Sequence, residues 1–67
     1  MTLKEARRAA GLTQAALASA AGVNIRQIQK LESGELAVRN MTLKNSVAIA
    51  KALGITAEQL LKTEEGA

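Results

Sequence analysis

The 67-residue sequence predicts an all-α domain, and three observations carry that prediction. Four times along the chain, a residue suited to cap a helix start is followed about a dozen residues later, or sooner, by a glycine suited to end one. Between these marks Leu, Ile and Val recur at the three- and four-residue spacing of a helix face. No proline breaks any of the segments.

Each element follows from its own residues. Thr2 and Glu5 form a capping box, opening a helix from Leu3 to Ala10 that Gly11 ends. Thr13 caps a second helix running to about Ala20, ended by Gly22, and Asn24 caps a third that Gly34 stops. The stretch "ELAVRNM" is expected to be a loop. Thr42 caps a fourth helix, Leu43 to Leu53, with Leu43, Val47, Ala50 and Leu53 on one face, and Gly54 stops it. Thr56 starts a short fifth helix, "AEQLLK", and the tail "TEEGA" is expected to fray. There is no repeat, linker or low-complexity tract, so residues 1–67 are expected to form a single domain.

Composition narrows the function. Apolar residues make up 48% of the chain, but many are Ala and there is no Phe, Trp or Tyr. A core of Leu, Ile and Val between closely spaced helices supplies only a few kcal/mol net, which makes dimerisation relevant to stability. With no Cys and no His, disulfides are excluded and neither a transition-metal site nor another cofactor is expected. No apolar stretch has the length of a membrane span or a signal sequence, so the protein is expected in the cytoplasm. Charge is uneven. Residues 1–51 hold Lys4, Arg7, Arg8, Arg26, Lys30, Arg39, Lys44 and Lys51 against Glu5, Glu32 and Glu35, whereas the remainder holds Lys62 against Glu58, Glu64 and Glu65. A basic body suits a polyanionic partner.

The third helix shows where that partner would sit. Placed at 100° per residue, Ile28 and Leu31 fall together with Asn24 near them, while Arg26, Lys30 and Ser33 fall on the opposite side with Gln29 beside them. Ile25 lies on a flank of the first turn, exposed to water. The stretch "TQAALASAAGVNIRQIQKLESG" joins this helix to the second by a tight turn containing Gly22, with Ala18 small enough for a close crossing. Leu17, Val23, Ile28 and Leu31 pin the pair to the core. This is a helix-turn-helix, spanning about residues 13–34, whose second helix enters the DNA major groove.

From Leu3 to Leu61 the chain resembles the Cro/C1-type (Xre, lambda repressor-like) helix-turn-helix family through "GLTQAALA", "AGVNIRQIQKLESG" and "IAKALGITAEQLL" in that order and spacing. The resemblance implies a compact five-helix domain that binds double-stranded DNA, commonly as a homodimeric repressor on a palindromic operator. It implies that Gln14, with Thr13 before it, meets a phosphate at the start of the second helix and braces the third. Asn24, Ile25, Arg26 and Lys30 would contact bases: Arg26 a guanine, Lys30 a guanine or phosphate, Ile25 a thymine methyl. Gln27 and Gln29 would flank them. Ser33 corresponds to a phosphate-contacting position, and Arg39 and Lys44 are basic candidates for the same role.

Glu32 falls near the core side of its helix, where an unpaired carboxylate would be costly. The family pattern sets Arg7 against it, as a structural pair. An enzyme is not expected, because the sequence offers no His, Cys, Gly-rich phosphate loop or paired carboxylates. The alternative is an antitoxin of the same fold, which neutralises a partner toxin and binds its own promoter.

Overall fold

A computed structural model describes residues 1–64, and the last three residues of the "TEEGA" tail lie outside it. Each of the five α-helices among the described residues begins at a residue whose side chain accepts a hydrogen bond from the first turn. Thr2, Thr13, Asn24, Thr42 and Thr56 fill this position for α1 (Leu3–Ala9), α2 (Gln14–Ala21), α3 (Ile25–Ser33), α4 (Leu43–Leu53) and α5 (Ala57–Lys62) respectively. Thr2 and Glu5 cap each other reciprocally, as do Thr56 and Gln59. Each cap satisfies an amide that the helix itself leaves free. Gly22 ends α2 with φ of 69°, a left-handed conformation that lets the chain turn over three residues, Gly22 to Asn24, and enter α3.

The core is built one side chain at a time. Leu17 of α2, Ile28 of α3, Ile49 of α4 and Leu60 of α5 are fully buried, and Leu3 and Ala6 of α1 close over them. Burial of each such Leu or Ile contributes roughly 1.5–3 kcal/mol. α2 lies between α3 and α4 and packs on both. The buried alanines Ala18 and Ala50 add little bulk, so the helices carrying them come close without aromatic filling.

Three expectations are corrected. The segment before α4 is not all loop: Val38–Asn40 forms one 3-10 turn that buries Val38. The face of α4 turned inward is Ile49, Ala50 and Leu53, whereas Leu43 is 76% exposed and Val47 only half-buried. Leu43 is the first residue of its helix and stands beyond the body of the core. The tail is also more ordered at its start than expected, since Thr63 is buried and its hydroxyl donates to the Leu60 carbonyl at 2.6 Å. Among the described residues no helix is long and apolar enough to cross a membrane.

Candidate nucleic-acid interface

The geometry of α3 follows from one buried side chain. Ile28 is wholly enclosed, and Leu31 packs on the core beside it. A helix fixed along that line must turn its far side outward. Arg26, Gln29, Lys30 and Ser33 are accordingly exposed, and with Glu35 they line a shallow depression of about 330 Å³ on the outer surface. Ile25 is 38% exposed at the first turn, an apolar group beside this polar face. Asn24 directs its Oδ1 to the Arg26 amide at 2.8 Å, so its carbonyl oxygen serves as the cap while its amide hydrogens point away from that bond. Gln27 is half-buried on the flank.

A polar cluster behind α3 holds it in place. Arg7 of α1 donates from Nε to Glu32 Oε2 at 2.7 Å and from Nη2 to Oε1 at 3.2 Å. Its Nη1 donates to the Leu12 carbonyl at 2.8 Å. Gln14, the first residue of α2, donates from Nε2 to Glu32 Oε1 at 3.3 Å. One carboxylate thus joins α1, α2 and α3. The Arg7 and Glu32 side chains are only 10% and 7% exposed. Burial pushes the Glu32 carboxyl up, but the hydrogen bonds from Arg7 and Gln14 and the charges of Arg7 and Lys4 outweigh it, leaving it below its ordinary value. The Arg7 guanidinium is raised, chiefly by its hydrogen bond to Glu32. Among the described residues no buried side-chain nitrogen or oxygen lacks a partner.

The remaining sequence candidates are dispersed. Thr13 Oγ1 accepts from the Ala16 amide at 3.0 Å as the α2 cap. Ser33 Oγ donates to the Lys30 carbonyl at 3.1 Å, which commits its only hydrogen to the end of α3. Lys44 is exposed in the first turn of α4, which holds no acidic residue. Arg39 faces a different part of the molecule. Its Nη1 meets Glu64 Oε2 at 3.1 Å, and Glu64 Oε1 also accepts from the Val38 amide. That contact borders a cavity of about 480 Å³ between the start of α1, the end of α3 and the end of α5. The structure therefore groups Arg26, Gln29, Lys30 and Ser33, and leaves Arg39 apart from them.

Two features of the surface have little or no signature in the sequence. Glu35 shares the depression with Arg26 and Lys30, and the only mark of it in the sequence is that it separates Gly34 from the apolar Leu36. The Arg39–Glu64 contact joins residues 25 apart in sequence across two irregular segments, where no periodicity signals a pairing.

A family model for helix-turn-helix domains matches residues 3–60. Neither the curated proteins nor the solved structures gave a match to the chain. The matched residues run from the first residue of α1 to Leu60 in α5, enclosing the cluster behind α3 and the depression in front of it. The chain belongs to the Cro/C1-type helix-turn-helix family of DNA-binding transcription regulators.

Proposed function

We propose that this regulator is a repressor that binds a palindromic operator as a homodimer, with α3 of each copy in the major groove. The observation that carries the proposal is the outer face of α3, where Arg26, Lys30 and Gln29 are exposed on the side opposite Ile28 while a three-helix polar cluster fixes the helix behind them. Arg26 and Lys30 supply donors that suit guanine O6 and N7, Asn24 offers an amide, and Ile25 offers an apolar surface to a thymine methyl. Gln27, Ser33 and Thr13 flank these groups. At the start of α2 the amides, with no acidic residue in the first turn, favour a phosphate, and Gln14 sits beside them. Lys44, exposed in the first turn of α4, adds a further cation for the DNA backbone, whereas Arg39 is turned towards Glu64. Homodimerisation is supported by the large apolar side chains left exposed on other helices, Leu43 on α4 and Leu61 on α5. Such a protein acts in the cytoplasm, on the nucleoid.

Selection of bound sequences from random duplex DNA, followed by titration on the selected site, tests this reading. The selected motif should be a palindrome whose half-sites lie about one helical turn apart, bound by two copies of the chain. Affinity should fall as a power of salt concentration, with a logarithmic slope of about −0.9 for each phosphate neutralised and several phosphates in all. A complex that ignores salt, or a failure to select any duplex at low salt, would overturn the proposal. One copy bound to an asymmetric site would overturn the homodimer part alone.

A further inference from the structure

The turn that ends α3 differs from the three other glycine turns. After α1, α2 and α4 the residue that follows the glycine closes the turn: the Leu12 amide returns to the Arg7 carbonyl at 3.1 Å, Val23 to Ala18 at 3.0 Å, and Ile55 to Ala50 at 3.0 Å. In each case the bond spans five residues, and the closing residue packs on the core. After α3 the closing amide belongs to Leu36, which reaches the Lys30 carbonyl at 3.1 Å across six residues. One additional residue therefore stands in the turn. Leu36 takes the half-buried place and Glu35 is pushed out to the surface, its amide donating to Ser33 Oγ at 3.4 Å.

The displaced side chain lines the depression that holds Arg26, Gln29 and Lys30. The ion pairs among the described residues join Arg7 to Glu32, Arg39 to Glu64 and Lys62 to Glu58, and Glu35 is in none of them. A charged group that only accepts hydrogen bonds thus stands on a face whose charged neighbours only donate them. Against phosphate such a group is repelled, so sequence-independent attraction to DNA does not account for its place. Base edges differ from phosphate in this respect. In the major groove a G·C pair presents guanine O6 and N7 as acceptors beside the N4 amine of cytosine as donor. A guanidinium or ammonium next to a carboxylate matches both halves of that edge.

We propose that Glu35 is a specificity-determining residue of the DNA face, accepting a hydrogen bond from the N4 amine of a cytosine next to the guanine that Arg26 or Lys30 contacts. The proposal rests on the DNA-binding reading above and adds a base preference to it. A phosphate cannot replace the amine, so Glu35 also lowers affinity for unrelated duplex.

Base-by-base binding profiles of the full chain, as wild type, Glu35→Ala and Glu35→Gln, test this on the selected duplex and on a scrambled one. Glu35→Ala should lose about tenfold in discrimination at one cytosine position per half-site, and should bind the scrambled duplex more tightly than wild type. Glu35→Gln, whose amide donates as well as accepts, should admit adenine at the same position. The residue is exposed at a surface turn, so both variants should melt with the wild type. Profiles that keep the wild-type shape in both variants, with affinity raised uniformly or unchanged, overturn the proposal and leave the DNA-binding reading intact. A wild-type chain that selects no duplex overturns that reading, and this proposal with it.

Discussion

Replacing Glu32 by alanine should lower the stability of the domain by about 3 kcal/mol, because it strands the Arg7 guanidinium in a site almost closed to water. Arg7→Ala should cost a similar amount from the other side, leaving Glu32 with only Gln14 as a hydrogen-bond partner. A single core of this size rarely supplies more than about 3–5 kcal/mol, so either change should leave much of the protein unfolded at room temperature. The double alanine variant should lose less than the sum of the singles, since neither charge is then left unpaired. Urea unfolding of the four proteins measures the coupling, and additive losses would show that the pair contributes nothing beyond its separate side chains. The same carboxylate imposes a pH dependence. Its pKa in the fold lies below its ordinary value of 4.5, so its contribution is complete above that value and is lost as the pH falls through the folded pKa. The stability gap between wild type and Glu32→Gln should therefore be constant near neutrality and narrow below pH 4.5.

Arg26→Ala should cost roughly 1–3 kcal/mol per half-site on the selected duplex, and should flatten preference at one base position in each half. Two symmetric copies double the loss on a palindrome. Gln14→Ala provides the contrast. A phosphate contact carries no sequence information, so its loss should weaken every duplex by a similar factor and preserve the base profile. Because Gln14 also donates to Glu32, the same variant should lose about 1 kcal/mol of folding stability. Profiles taken well below the melting temperature separate the two effects. An Arg26→Ala profile that sinks uniformly without changing shape would assign Arg26 to the DNA backbone and require a different rotation of α3 in the groove.

Helix starts could be read closely from the sequence, because a cap is a local device: one hydroxyl or amide side chain bonding an amide two or three residues on. The inward face of α3 was equally open to reading, since Ile28 and Leu31 are its interior apolar residues among long polar ones. α4 lacked that contrast. Alanines and aliphatic residues surround much of its circumference, so helical spacing fits more than one face, and only packing against α2 selects Ile49 over Leu43. The 3-10 turn at Val38 was hidden for another reason: three residues are too few to show a period, and Ala37 before it makes no side-chain cap. Glu35 is the least legible of the residues in the depression. Its position depends on which amide closes the turn after Gly34, and the sequence carries only a faint sign of it: an apolar residue directly follows Gly11, Gly22 and Gly54 but comes one place later after Gly34.

Leu17, Ile28, Ile49 and Leu60 come one apiece from four helices and belong to one buried cluster, so the four helices share a single interior. Displacing any one of them exposes part of that shared interior to water. Protection against deuterium exchange should then reach the same ceiling in α2, α3, α4 and α5, set by global unfolding and not by separate local openings. By that measure α3 should be as durable as the domain that carries it.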